Sequence, residues 1–152
     1  MTRDEILEAL AAQVGGLIEI YVLGTSYDDW FRVLVRLHTF GYEVSLRDAL
    51  TEMPANLNRR MFDAEDDAAY ELSISIGSQI WTSSLASLSA IDLQGDPRDV
   101  RSRSDLDDVF RLLQILSKIT GKRAILVPET LELTMVRPYL MVPAAEENQS
   151  GF

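Results

Sequence analysis

The sequence predicts an α+β fold: a two-layer sandwich in which a mainly antiparallel sheet of about five to six strands carries two amphipathic helices on one face, with a further helix at the N-terminus. Three stretches support this prediction. DDWFRVLVRLHTFG (28–41) and DDVFRLLQILSKITG (107–121) share the apolar spacing of an amphipathic helix, and a strand-like stretch follows each of them. YELSISI (70–76) alternates apolar and polar residues, which is typical of a strand with one face in water.

The chain begins with a predicted helix and a predicted strand. Thr2 is a favourable N-cap, and the glycine pair at 15–16 is a natural stop. Between them, apolar residues recur at helical spacing at Ile6, Leu7, Leu10 and Val14. LIEIYVL (17–23) is rich in β-branched and aromatic residues and is bounded by glycines, so we expect a strand in the middle of the sheet.

The two similar stretches predict helices at 26–40 and 105–120. Ser26 and Ser104 are the expected N-caps, each followed by two aspartates in the first turn, where the helix dipole favours negative charge. Each helix has an apolar stripe, formed by Trp30, Val33, Leu34 and Leu37 in the first helix and by Val109, Leu112, Leu113 and Leu116 in the second. Convergence on a common pattern and duplication of a half-domain both account for the similarity. Either one places the helices side by side on one sheet face, as in a ferredoxin-like or related sandwich.

Four further strands are predicted, at 42–46, 85–93, 124–127 and 130–136. Gly77 permits a turn from 70–76 into QIWTS (79–83), which indicates an antiparallel meander. The stretch 47–69 has no single pattern. A short helix that Pro54 ends, a further helical turn and an edge strand all fit it.

Length and composition fit one domain. Of the 152 residues, 47% are hydrophobic and 25% are charged, which is the balance of a globular protein. We predict a single domain over 1–143 and a flexible C-terminal tail at 144–152. The absence of cysteine excludes disulfides and thiolate metal sites. MTRDEILEAL lacks the basic and apolar regions of a signal peptide, and the longest aliphatic run is AILV (124–127), so we expect a cytoplasmic protein without a membrane span.

Negative charge dominates the sequence and is unevenly distributed. Twenty-four acidic residues against fourteen basic ones give a net charge of −10, which opposes binding to nucleic acid and to anionic membranes. Residues 61–97 contain no Lys or Arg. Five of the seven acids of this block form a candidate surface for a basic protein partner, which we call the acidic cluster: Asp63, Glu65, Asp66, Asp67 and Glu71. A solvated acidic loop is the alternative interpretation.

The sequence contains no motif that predicts catalysis, a metal site or a cofactor site. His38 is the only histidine, and its place beside the apolar stripe of 26–40 indicates a boundary residue rather than a base. The acidic cluster begins like a calcium loop, but Ala68 and Ile74 stand where that loop needs its glycine and its final acid. We therefore predict a binding protein rather than an enzyme, with no cofactor and no metal.

In size, in acidity and in its predicted sheet with amphipathic helices, the chain resembles the small immunity proteins that accompany polymorphic or contact-dependent bacterial toxins. The resemblance concerns the type of the whole chain and assigns a role to no individual residue. It implies a one-to-one complex in which this chain, a monomer on its own, neutralises a cognate toxin domain. An acidic surface steers association with a basic partner of this kind.

Two other functions also fit the sequence. A secretion or assembly chaperone would likewise be small and acidic with an N-terminal helix, but it would usually dimerise and bind a client segment through an apolar groove. An enzyme that relies on carboxylates alone would need a deep acidic pocket. The oligomeric state separates the first two functions, since a monomer favours the immunity protein and a dimer favours the chaperone.

Overall fold

The computed structural model describes residues 1–13, 15–63, 69–129, 133 and 136–144. These residues contain three α-helices and seven strands, which confirms the α+β prediction with a somewhat larger sheet. In chain order the elements are α1 (Arg3–Ala12), β1 (Ile18–Leu23), α2 (Tyr27–Thr39), β2 (Glu43–Asp48), β3 (Tyr70–Ile76), β4 (Gln79–Ser83), β5 (Ala90–Gly95), α3 (Arg103–Thr120), β6 (Ala124–Pro128) and β7 (Leu140–Val142). Short 3-10 turns lie at Arg59–Asp63 and Pro97–Asp99.

The seven strands form one antiparallel sheet in the order β2-β3-β4-β5-β1-β6-β7. A meander runs from β2 to β5, and β1 lies between β5 and β6. Two helical connections therefore pass over intervening strands: α2 joins β1 to β2, and α3 joins β5 to β6. This connectivity contains the split β-α-β arrangement of ferredoxin-like folds, with two strands inserted between β2 and β5 and with β7 added at one edge.

The helices cover one face of the sheet. As predicted, α2 and α3 lie side by side in contact with each other, and α1 packs against α3. Ser26 caps α2 because its Oγ accepts a hydrogen bond from the backbone N–H of Asp29, whose carboxylate in turn accepts one from the N–H of Ser26. The apolar stripes of α2 and α3 join β1 and its neighbours in one core, although Leu34 is only half-buried.

The cap of α3 lies two residues earlier than predicted. Ser102, rather than Ser104, is the N-cap, and it forms a reciprocal capping box with Asp105. Asp107, which we expected in the first turn, lies in the second turn and forms an ion pair with Arg3 of α1. The carboxylate of Asp105, rather than those of the Asp107–Asp108 pair, therefore accepts the hydrogen bonds of the backbone N–H groups of Arg101 and Ser102 just before α3.

The predicted strand at 85–93 is also only partly correct, because β5 begins at Ala90 and the residues before it form a loop against the start of α2. The backbone carbonyl of Ser87 accepts a hydrogen bond from Trp30 Nε1 at 3.2 Å, and that of Ser89 accepts one from the N–H of Gly24 at 2.8 Å. These carbonyls are committed to α2 and to the turn before it, so they do not pair with a neighbouring strand.

The ambiguous stretch 47–69 contains the end of β2, a tight turn and a 3-10 turn. Asp48 ends β2, and its carboxylate accepts hydrogen bonds from the N–H groups of Leu50 at 2.9 Å and Thr51 at 3.1 Å. The side chain of Asp48 therefore replaces strand pairing with a local turn.

Several predictions fall partly or wholly outside the described residues. Of the strand predicted at 130–136, only Leu133 and Val136 are described, and neither belongs to a strand. The edge strand β7 was not predicted and lies further along the chain. Almost all of the predicted tail, from residue 145 onward, is outside the described part. None of the helices that the structure describes is both long and apolar enough to cross a bilayer.

Candidate protein-binding groove between α2 and α3

The structure describes only part of the acidic cluster. Glu65, Asp66 and Asp67 lie outside the described residues, and Asp63 is described only as the last residue of a 3-10 turn. Glu71 lies in β3, where its carboxylate accepts a hydrogen bond from Arg47 at 3.1 Å. Both side chains are about 40% exposed (43% and 41%), so we expect this ion pair to contribute less than about 1 kcal/mol. The acidic cluster stays a prediction, with one of its members neutralised by a neighbour.

A groove of about 510 Å³ lies between α2 and α3 on the solvent side of the helix layer. The α2 side contributes Phe31, Val35 and the C-cap residue Phe40, and α3 contributes Ile115 and Ile119. Phe31, Val35 and Phe40 are 50%, 48% and 58% exposed. Scattered apolar residues on a surface are ordinary, but large apolar side chains gathered along one groove mark an interaction surface.

Two packed helices and several local contacts define the shape of this groove. Residues four apart lie on one helix face, so Phe31 and Val35 form one row and Ile115 and Ile119 form the facing row. The ring of Phe31 stacks on that of Tyr27 with centroids 6.5 Å apart, and the hydroxyl of Tyr27 donates a hydrogen bond to a backbone carbonyl at 3.1 Å. The capping box of α2 and its contact with α3 fix the helix beneath. A partner would therefore meet a preformed surface.

Cations surround the apolar rows. Arg32 and Arg36 of α2 and Arg111 and Lys118 of α3 line the groove, whereas no acidic residue among the described ones does. Arg32 is committed to Asp29, whose carboxylate oxygen lies 2.6 Å away. In the part of the chain that the structure describes, Arg36, Arg111 and Lys118 form no ion pair. A chain of net charge −10 thus has a locally cationic groove.

The groove was not predicted from the sequence, because the prediction rested on the buried stripe of each helix alone. Phe31 and Val35 lie on the other side of α2 from that stripe, and Arg32 and Arg36 follow each of them at the same spacing. Apolar residues repeated four apart on the side of a helix that should be polar were the available signal. Their partners on α3 could not be assigned without the packing of the two helices.

A cluster of polar side chains lies on the face of the sheet that the helices do not cover. Tyr21 of β1 is directly opposite Asp92 of β5, and Glu19 lies two residues before Tyr21 on the same face. Glu19 is only 4% exposed, and within the described residues neither its Oε2 atom nor Oδ1 of Asp92 has a hydrogen-bond partner. Burial, and then the charge of Glu19, raise the pKa of Asp92 to about 6. Burial and a hydrogen bond with Glu19 raise the pKa of Tyr21.

Glu19 and Asp92 form a carboxylate pair that favours binding of a proton by Asp92, because the pKa of Asp92 is raised. The pair alone has too few ligands for a metal site. No group of three or more His, Cys, Asp and Glu side chains among the described residues is arranged to hold a metal ion. His38, the single histidine of the sequence, is exposed in the last turn of α2 next to the buried Leu37.

Comparison with known proteins does not assign the chain to a family. We find no significant match of the chain to a protein-family model, to a curated protein or to a solved structure. The function is therefore inferred from the geometry of the groove.

Proposed function

We propose that this chain is a non-catalytic binding protein that neutralises a partner protein by direct contact, as the small immunity proteins of bacterial toxin systems do. The groove between α2 and α3 is its main contact surface. The observation that supports this proposal is the set of half-exposed apolar side chains Phe31, Val35 and Phe40 gathered along one groove. Aromatic anchors surrounded by polar and charged residues are typical of the energetic centre of an interface.

The free energy available from this row is useful but limited. Full burial of a Phe or Val side chain is worth about 1.5–3 kcal/mol, so covering the exposed half of three such side chains contributes roughly 3 kcal/mol. Stable association needs more than this, because it must offset the lost freedom of two molecules. The groove is therefore the centre of a larger contact, and polar neighbours of the groove complete it.

The acidic cluster has a separate place in this proposal. Negative charge on a protein accelerates encounter with basic surfaces of a partner without close docking. Replacing Asp63, Glu65, Asp66, Asp67 and Glu71 by Asn or Gln is then expected to lower the association rate at low salt. The docked contact, which the groove provides, is expected to survive this replacement.

The test uses proteins encoded beside this chain as candidate partners, because a toxin and its inhibitor have to be produced together. We expect a one-to-one complex by light scattering, lost on Phe31→Ser with Val35→Ser. Ile80→Ser is the matched control, since Ile80 is 55% exposed in β4 on the opposite face of the sheet. A complex that forms equally well with the double variant would contradict the groove as the contact surface.

The chaperone alternative shares the apolar groove and differs in assembly. Light scattering of the chain alone separates the two proposals. A monomer agrees with the immunity-type function, and a dimer that dissociates on binding a client segment favours the chaperone.

A further inference from the structure

We propose that the occupant of the groove is an acidic amphipathic α-helix of the partner protein, whose apolar side enters the groove while its carboxylates face the surrounding cations. This inference rests on the proposed function and specifies the chemistry of the partner.

The shape of the groove fits a helix. Two helices packed side by side leave a furrow in which the side chains of a third helix interdigitate. From Phe31 to Phe40 the α2 wall extends nine residues, or about 13 Å at the helical rise. That length matches two to three turns of an occupant helix, which would present apolar side chains at positions i, i+3 or i+4, and i+7.

The charges of the groove select an acidic helix over an apolar or basic one. Arg36 and Lys118 lie on opposite walls, and Arg111 lies about two turns before Lys118 on α3. A docked helix removes water from these cations, and a desolvated cation without a partner is unfavourable. Carboxylates on both flanks of the occupant would satisfy them, whereas lysines there would add repulsion.

The same charges argue against other occupants. A second copy of this chain docked groove to groove would bring its own Arg36, Arg111 and Lys118 against the same cationic surface of the first copy, because a two-fold interface pairs each surface with itself. An RNA strand or an anionic membrane is an extended polyanion, which the net charge of −10 repels beyond the groove. A short helix with a few acids meets only the local cations.

The experiment presents the full chain with two peptide-display libraries that share randomised apolar positions at helical spacing. The flanking positions are Glu in one library and Lys in the other. We expect enrichment from the Glu library alone, with binding lost on Phe31→Ser and retained on Ile80→Ser. Equal enrichment from both libraries, or enrichment from neither, would overturn the proposal.

A charge exchange on one enriched peptide provides the second readout. Arg36→Glu with Arg111→Glu is expected to weaken the Glu-flanked peptide at least tenfold and to strengthen its Lys-flanked counterpart. Arg60→Glu with Lys122→Glu makes the same change in net charge at residues that do not line the groove, and we expect it to alter neither affinity more than about twofold. A larger change in peptide affinity for the groove variant than for the control variant distinguishes local charge pairing from the effect of net charge.

The outcomes also separate this inference from the function on which it rests. If the native partner binds through Phe31 and Val35 but is insensitive to the charge exchange, the proposed function stands and the acidic helix is wrong. Groove-dependent dimerisation of the chain, or saturable groove-dependent binding of oligouridine or of vesicles rich in anionic lipid, would identify another occupant and overturn the inference. The melting temperature of each variant is compared with that of the parent, so that a loss of binding can be distinguished from a loss of folding.

Discussion

Replacing Asp92 by Asn is expected to stabilise the protein at neutral pH and to flatten its pH dependence. Asp92 lies in β5 opposite Tyr21, beside the buried carboxylate of Glu19. Its Oδ1 atom is enclosed without a hydrogen-bond partner among the described residues. Ionisation of Asp92 therefore places a second negative charge next to Glu19 with little compensation. Asparagine keeps the shape of the side chain and removes that charge.

The pKa of Asp92 determines the sign and size of the effect. Burial and the charge of Glu19 raise its pKa to about 6 from 3.8. Between about pH 4 and pH 6 the folded chain therefore binds more protons at this site than the unfolded chain, so stability falls as the pH rises through this window. A pKa difference of this size corresponds to about 3 kcal/mol without screening, and since Asp92 as a whole is only half-buried we expect roughly 1–2 kcal/mol at pH 7.

Urea denaturation of the parent and of Asp92→Asn at several pH values measures this effect. The difference in unfolding free energy is expected to be near its maximum at pH 7 and to narrow towards pH 4, because Asp92 is itself protonated and uncharged at low pH. Asp48, Asp96 and Asp105, whose pKa values are lowered, affect both proteins equally and cancel from the comparison. Glu43→Gln, at an exposed carboxylate of the edge strand β2, is the control and should change little. A variant that is no more stable than the parent at pH 7 would show that Asp92 is solvated or has a partner, and would refute the reasoning.

Three further substitutions test the packing and the helix cap. Leu113→Ala removes a fully buried side chain and is expected to cost about 2–5 kcal/mol in denaturation experiments; a midpoint equal to that of the parent would contradict the described core. Ser102→Ala is expected to cost about 1 kcal/mol and Ser104→Ala less than about 0.5 kcal/mol, whereas the reverse order would restore the cap predicted from sequence. Gly95→Ala would place its Cβ 2.8 Å from the ring of Trp81, so we expect a loss of about 1–3 kcal/mol, and an unchanged melting temperature would show that the ring can move.

The sequence predicted elements well where the pattern itself reports burial. The stripes of α2 and α3 and the alternation in β3 follow directly from which side of each element touches the core, so their positions are confirmed. The N-cap of α3 could not be chosen in this way, because Ser102 and Ser104 both precede an aspartate by three residues. Arg3 of α1 engages Asp107, which leaves Asp105 for the backbone, and this contact is between elements far apart in the chain.

The surfaces were harder to predict, because each depends on residues from separate elements. The pattern of 85–93 suggested a full strand, but the carbonyls of Ser87 and Ser89 accept hydrogen bonds from Trp30 of α2 and from Gly24 in the turn before it. Glu19 and Asp92 become neighbours only through the pairing of β1 with β5. The groove similarly requires the side-by-side packing of α2 and α3, which turns two ordinary helix surfaces into one cationic, apolar furrow.

The opposite signs of the whole chain and of the groove make the salt dependence of binding informative about which surface acts first. Charges separated by more than about 8 Å are largely screened at physiological ionic strength, so the net charge of −10 acts mainly during approach at low salt, whereas the cations of the groove act on contact. For an acidic helix presented by a partner of net negative charge, added salt should raise the association rate by removing long-range repulsion and should also raise the dissociation rate by weakening the pairs with Arg36, Arg111 and Lys118. For a basic partner steered by the acidic cluster, added salt should instead lower the association rate. Stopped-flow measurements at two salt concentrations distinguish the two, and rates independent of salt would contradict a role for either charged surface.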